Sequence, residues 1–241
     1  MLLQSFIPAF RIDGMRVKLL ALDVDGTITD EDNSVDLEAV FTIKNVTKMG
    51  LRPIFITGRS LWEAYSLTAF IGLERIGAAE NGGVIFYRSP HNVLLLGDLA
   101  EPTRALEALS KELDITIRNT MPRFTEITLE RPVDINLANE ILEKNGIRAR
   151  ALDSGYAVHL VNDTVNKGIA LERIMKLLQV SRNETASIGD SVIDIPMFKA
   201  SSISFAVSNS SEYVKKEASY VTGGRSGKGV VEAISKLLTY E

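Results

Sequence analysis

Val17-Lys18-Leu19-Leu20-Ala21-Leu22-Asp23-Val24-Asp25-Gly26-Thr27 decides the reading of this chain. Up to Leu22 the run is apolar apart from Lys18. A strand buried on both faces looks like this, and such strands belong to parallel sheets covered by helices. Asp23 and Asp25 then stand where the strand ends. In an open α/β sheet, ligands bind beyond the carboxyl ends of the strands, so both carboxylates fall at the expected site. Crowding them there costs on the order of several kcal/mol unless something positive pairs with them. Oxygen donors with no Cys or His beside them point to Mg²⁺ as that partner. Gly26 permits a tight turn whose backbone N–H groups can face a phosphate. Asp-Gly alone is a common turn pair; the apolar strand before it and the helix after it make this one a candidate site.

Outward from that stretch, strand-like and helix-like segments alternate. A helix is expected over 35–49, with Leu37, Val40, Ile43 and Val46 on one stripe, Ser34 as N-cap and Gly50 just past the end. Residues 52–56 read as a strand. Ser60 and Glu63 form a capping-box pattern for a helix over 61–71, and 76–79 reads as a short third strand. After Asn81-Gly82-Gly83 the pattern changes. Strands at 84–87, 93–96, 125–129 and 148–152 surround helices at 103–113 and 134–145, an α+β pattern. From 156 the βα alternation returns, with a helix over 167–178 striped by Leu171, Ile174, Met175 and Leu178. Further strands are expected at 185–188, 203–207 and near 220, with a last helix over 229–238. The expected architecture is a doubly wound α/β core, 15–83 and 154–241, split by an inserted α+β module over 84–153.

Further elements that can carry chemistry follow in chain order. Ile54-Phe55-Ile56-Thr57-Gly58-Arg59 places the Thr57 hydroxyl and adjacent backbone N–H groups, Gly58 included, at a strand end, where they suit phosphoryl oxygens. Asn166-Lys167-Gly168 puts a lysine at a helix start, an unfavourable place for a cation against the helix dipole. It reads either as a solvated lysine or as a charge clamp on a phosphate. Ser187-Ile188-Gly189-Asp190-Ser191-Val192-Ile193-Asp194 ends another strand in Gly-Asp, and Asp194 follows one helical turn after Asp190. That spacing lets Asp190 ligate a metal while Asp194 supports the site.

With these segments in order, the sequence resembles the haloacid dehalogenase superfamily of phosphatases. The long insert resembles the Cof-like branch with a type C2 cap, and the Val165–Gly168 segment is most similar to archaeal phosphoglycolate phosphatases. The resemblance implies that Asp23 is the nucleophile and forms an aspartyl-phosphate, and that Asp25 is the general acid and base. It implies Mg²⁺ held among Asp23, Asp25 (through its carbonyl), Asp190 and Asp194, with Thr57, Gly58 and Lys167 on the phosphate. Protonated Asp25 implies a pKa raised by desolvation under a closed cap. One departure stands out: Cof-like members usually carry Asn before the second Asp of the last motif, and here that residue is Ile193, so Ser191 is the candidate substitute. The implied substrate is a small phosphorylated metabolite, with 2-phosphoglycolate first. Sugar-phosphate hydrolysis or phosphomutase chemistry is the alternative, and a phospho-accepting signalling domain is the alternative of another class.

Substrate selection is expected from the insert, which carries Arg104, Arg118, Arg123, Arg131, Arg148 and Arg150. Most read as solvated charges; Arg123, beside Pro122, is the candidate for holding a substrate carboxylate. Asn81 reads as a turn residue and His159 as a hydrogen-bonded core residue. Of 241 residues, 45% are hydrophobic and 24% charged, an ordinary balance for a soluble globular protein. A net charge of −4 gives no electrostatic case for nucleic acid or anionic membranes. There are no cysteines, so thiolate chemistry is excluded. No apolar run is long enough for a membrane span, and residues 1–14 lack the features of a signal peptide. The expectation is a cytoplasmic monomer or homodimer, with residues 1–14 a loosely docked extension or Met15 the true start.

Overall fold

The computed structural model describes residues 8–118 and 121–240. In chain order the elements are β1 (Pro8–Ile12), β2 (Met15–Arg16), β3 (Leu19–Leu22), α1 (Leu37–Lys48), β4 (Arg52–Ile56), α2 (Leu61–Ile71) and β5 (Ile76–Ala79). Then come β6 (Val84–Tyr87), β7 (Ser89–Leu95), α3 (Ala100–Glu112), β8 (Glu126–Leu129), α4 (Ile135–Lys144), β9 (Ala149–Asp153) and β10 (Val158–Asn162). The chain ends with α5 (Lys167–Leu178), β11 (Thr185–Gly189), α6 (Ile195–Ala200), β12 (Ile203–Ala206), α7 (Glu212–Glu217), β13 (Tyr220–Val221), α8 (Ser226–Leu237) and β14 (Leu238–Tyr240).

The main sheet has the order β13-β12-β11-β3-β4-β5-β6-β7. From β13 to β5 the pairing is parallel; β6 and β7 add on antiparallel. The deciding strand lies in the middle and alternates its side chains between two apolar layers. Leu20 and Leu22 face a layer that includes Ile43 of α1 and Val230 of α8. Leu19 and Ala21 face a layer that includes Leu171 and Ile174 of α5 and Phe198 of α6. That two-sided burial is why the run is apolar at every step. The strand order reverses beside β3: the chain steps to β4 and β5 on one side, then returns through α5 to β11 on the other. Asp23 and Asp190 leave neighbouring strands at this switch point, where such folds bind ligands.

A second, three-stranded antiparallel sheet has the order β8-β10-β9. Leu129, Ala151, Val158 and Leu160 pack against Ala105 and Leu109 of α3 and Ile141 of α4. With period two along a strand, Glu126, His159 and Arg150 therefore lie on the opposite, helix-free face.

Strand membership differs from the sequence reading in two places. Residues 84–95, expected in the insert, extend the main sheet. The left-handed turn at Glu80, Asn81 and Gly82 (φ 53°, 55° and 99°) reverses the chain, so that Ala79 pairs with Val84. Residues 156–161, expected in the core, supply most of β10, the central strand of the small sheet. An apolar strand reads alike in either sheet, so the sequence did not separate them. The N-cap of α1 is Asp36, which accepts N–H bonds from Glu38 and Ala39, in place of Ser34. Residues 8–14, expected as loosely docked, are tied in: β1 pairs with β14 and β2, and Phe10 is buried in the main apolar layer. The expectation for residues 1–7 lies outside the described residues. No described helix is long and apolar enough to cross a membrane.

Candidate active site

Asp23 follows β3 directly and is 4% exposed. Its backbone N–H bonds to the Ile188 carbonyl at 3.0 Å, which fixes it beside β11. Lys167 opens α5, and the Asn166 side chain caps that helix by accepting from the Ile169 N–H at 2.9 Å. Lys167 is 3% exposed, not solvated. Its Nζ donates to Asp23 Oδ1 at 2.5 Å and to Asp194 Oδ1 at 2.6 Å. Gly168 makes this reach possible: a Cβ there would stand 2.4 Å from the Pro196 carbonyl oxygen, so α5 and α6 meet backbone to backbone.

Asp194 uses both carboxylate oxygens. Oδ1 takes Lys167, while Oδ2 accepts from the Asp190 N–H (3.0 Å), the Ser191 N–H (2.9 Å) and Ser191 Oγ (3.1 Å). It thereby shapes the loop that carries Asp190. The Thr27 hydroxyl donates to Asp190 Oδ1 at 3.1 Å. Gly26, at φ 76°, lets the backbone pass close: a Cβ there would meet Asp190 Oδ2 at 2.5 Å.

Carboxylate oxygens of Asp23, Asp190 and Asp194 lie within 4.8 Å of one another. Burial, then Asp194, pushes Asp23 well above the ordinary carboxylate range, against the opposing pull of Lys167. Burial and Asp194 likewise push Asp190 up to about 7. Burial would lower the Lys167 pKa, but Asp194 and Asp23 outweigh it and hold the ammonium charged. One ammonium among these carboxylates leaves negative charge unbalanced. The donor set is all oxygen, so the cluster fits a hard divalent cation.

Asp25 sits at the mouth and is gripped by Arg59. Nε reaches its two oxygens at 3.1 and 3.0 Å, and Nη2 reaches Oδ1 at 2.5 Å. Arg59 was present in the strand-end motif but had no assigned part; only its nearness in space to Asp25 gives it one. Thr57 is fully buried, and its Oγ accepts the Arg59 N–H at 3.1 Å. Gly58, next to it, lines the pocket.

That pocket has about 500 Å³ of empty space, its open mouth included, between the main and small sheets. Asp23, Asp25 and Lys167 lie on the main-sheet side, and Arg123, His159 and Tyr156 on the other; Ser191 and Ile193 also line it. His159 is buried and hydrogen-bonded as expected, yet it also faces the pocket. Asn81 serves the turn as expected, and its Nδ2 also donates to Glu126 Oε2 at 2.9 Å. Glu126 and Glu80 went unnoticed in the sequence. The signal for Glu126 was a carboxylate on the strand 125–129, which is otherwise apolar or hydroxylic.

A family profile described as haloacid dehalogenase-like hydrolase matches residues 20–103 and 110–234. The chain belongs to this family. A phosphoglycolate phosphatase of Nitrosopumilus maritimus is 37% identical over 225 residues, 92% of this chain and 97% of the relative. Another, of Archaeoglobus fulgidus, is 34% identical, covering 91% of this chain and 96% of the relative. Among solved structures, a protein of Thermoplasma acidophilum superposes with TM-score 0.81 at 24% identity, over 92% of this chain and 98% of that one. A haloacid dehalogenase-like hydrolase from Bacteroides thetaiotaomicron gives 0.73 at 21% identity, over 91% and 99%. The doubly wound fold is shared with both structures. By family and relatives this haloacid dehalogenase-like hydrolase is a phosphatase.

Proposed function

We propose that the chain hydrolyses a small phosphomonoester through an aspartyl-phosphate on Asp23, with Mg²⁺ as cofactor and 2-phosphoglycolate as substrate. The observation that carries this is Asp23 itself: a buried carboxylate at the switch point, held by Lys167 and crowded by Asp190 and Asp194. The relatives named phosphoglycolate phosphatase support the substrate.

Asp23 Oδ attacks phosphorus, the ester P–O bond breaks, and the leaving oxygen takes a proton from Asp25. Water then attacks the same phosphorus, giving its proton to Asp25 and releasing phosphate and free Asp23. Arg59 grips Asp25 before substrate enters, so this role requires the guanidinium to shift; the phosphate is a strong competing partner for it. Lys167 and the backbone N–H groups near Asp25, Gly26 and Gly58 stabilise the transferring oxygens. Asp23, the Asp25 carbonyl and Asp190 would hold Mg²⁺, which offsets repulsion between carboxylate and phosphate. Asp194 positions Lys167 and the Asp190 loop. Ser191 supplies the polar contact that Ile193 lacks.

Phosphate release from a panel of phosphomonoesters, with Mg²⁺, tests this. Asp23→Asn should lower turnover at least about a thousandfold, the scale of losing a nucleophile, with an unchanged circular dichroism spectrum. An active Asp23→Asn enzyme removes the scheme.

A further inference from the structure

Apart from the Asp23 cluster, a second group of buried charged side chains lies across the pocket, on the helix-free face of the small sheet. Its centre is Glu126, 1% exposed. Leaving a carboxylate there unpaired costs on the order of 3–5 kcal/mol, so its partners matter. Asn81 Nδ2 donates to one oxygen at 2.9 Å. Arg123 pairs with the other, which also meets His159 Nδ1 at 2.9 Å. The sheet register makes the last contact. Glu126 stands opposite Val161 and Thr128 opposite His159, so Glu126 and His159 are diagonal neighbours on one face. His159 Nε2 continues to Ser154 Oγ at 3.1 Å. That hydroxyl accepts the Tyr156 and Ala157 N–H groups at 3.3 and 3.2 Å.

One buried carboxylate thus fixes what the small sheet presents to the reaction. Arg123, His159, Ser154 and Tyr156 all line the pocket, whereas Glu126 does not. Arg123 is also anchored to the main-sheet side, with Nη1 donating to the Gly58 carbonyl at 2.8 Å. The other cations at the pocket are committed to the phosphoryl side: Lys167 to Asp23 and Asp194, Arg59 to Asp25. Glu126 accepts from Asn81 and meets His159 as well as Arg123, so it fixes the direction in which the guanidinium is held at the pocket wall. A planar guanidinium can bridge two carboxylates.

We propose that Arg123 binds a carboxylate on the leaving group, and that Glu126 is the positioning residue that holds Arg123 and, through His159, the Ser154–Tyr156 turn around it. This rests on the phosphomonoesterase reading and assigns its specificity to residues outside the reacting centre.

The test compares 2-phosphoglycolate with ethyl phosphate, which is similar in size and lacks the carboxylate, in the Mg²⁺-loaded enzyme. The readout is the ratio of the two kcat/KM values. Arg123→Gln should reduce the wild-type preference for 2-phosphoglycolate by about 10- to 100-fold, the scale of a charge-assisted hydrogen bond, mainly through KM. Arg123→Lys should restore part of it, and Glu126→Gln should reduce it about fivefold or more. An unchanged ratio, with both substrates falling together, overturns the proposal. Should Glu126→Gln fail to fold, the Arg123 variants decide. Calorimetric binding of both compounds to Asp23→Asn and to the Asp23→Asn/Arg123→Gln double variant reads the same preference without turnover. If the wild-type protein hydrolyses neither compound while other phosphomonoesters of the panel are cleaved, the 2-phosphoglycolate assignment fails; if none is cleaved, the proposed hydrolysis scheme fails. The binding comparison then still decides: loss of preference in the double variant supports the carboxylate site, and no preference to lose refutes it.

Discussion

Asp190 shows how the fold loads its site with electrostatic cost. Its folded pKa near 7 lies above the ordinary 3.8 because burial and Asp194 disfavour the charged form. Between those values the folded protein binds a proton that the unfolded chain has already released. The Asp190 contribution to the stability of the metal-free protein should therefore be lost as pH rises from about 4 to about 7, and the raised Asp23 acts in the same direction. A cation that replaces that proton should stabilise most where the proton is gone. Millimolar Mg²⁺ should raise Tm more at about pH 8 than at about pH 5.5, where it competes with the proton. Differential scanning fluorimetry with and without Mg²⁺ reads this directly, and equal Mg²⁺ shifts at both pH values would count against Asp190 as a ligand. Asp23, Asp25, Asp190 and Asp194 were legible because they stand at strand ends or a helix start, where such folds place ligands; Lys167, also at a helix start, read equally as a solvated lysine until the resemblance set it on the phosphate. Arg59 and Glu126 were not. Their importance lies in pairings with Asp25 and His159, 34 and 33 residues away, which no local spacing encodes; Arg123 is only three residues from Glu126, but that spacing alone does not mark a pocket.

At the scale of elements, the sequence announced type better than membership. Periodicity pointed to α1 and α5, a capping box to α2 and an unbroken apolar run to the two-sided burial of β3, although Leu37 of the expected α1 stripe is exposed and Ala39 is buried with Ile43 and Val46 instead. It could not say that β6 joins the main sheet while β10 joins the small one, since pairing partners leave no mark on a short apolar run. The deciding feature is the turn between β5 and β6. Gly83 there is in ordinary helical φ/ψ, but a Cβ on it would stand 2.0 Å from Thr125 Oγ1 and 2.7 Å from Thr125 Cβ. Its role is to let the entrance of β8 press against the main-sheet turn. Gly83→Ala should destabilise by about 1–3 kcal/mol, the scale of overpacking a filled site. Gly223→Ala, where the nearest atom is an ordinary 3.5 Å away, should stay within about 0.5 kcal/mol. Urea unfolding of both variants checks the pair; equal effects would mean that the contact at Thr125 is slack.

For the whole molecule, the question is how firmly the small sheet is seated over the catalytic carboxylates. The contact that answers it is Glu80, fully buried at the left-handed turn after β5. Its Oε2 accepts the Phe124 N–H at 2.9 Å, the Thr125 N–H at 2.8 Å and the Thr125 hydroxyl at 2.9 Å. Burial, then Glu126, raises its pKa, so its charge is carried at a cost that these donors offset. Main-chain amides of the small-sheet side thus end on a side chain of the main-sheet side, with Asn81 and Arg123 adding crossings at Glu126 and Gly58. Such a seam should behave as part of the folded body. The Phe124 and Thr125 amides should exchange with deuterium as slowly as amides of β3 and β11. Glu80→Ala strands those two N–H groups and should cost about 2–4 kcal/mol, since each buried donor left unpaired costs roughly 1–3. Exchange at both amides should accelerate in step. Glu80→Gln keeps an acceptor oxygen and removes a buried charge beside Glu126, so it should cost less than Glu80→Ala above neutral pH. Fast exchange at these amides in the wild-type protein would mean that the small sheet lifts from the site at this seam, and that Arg123 is held in place only while it is down.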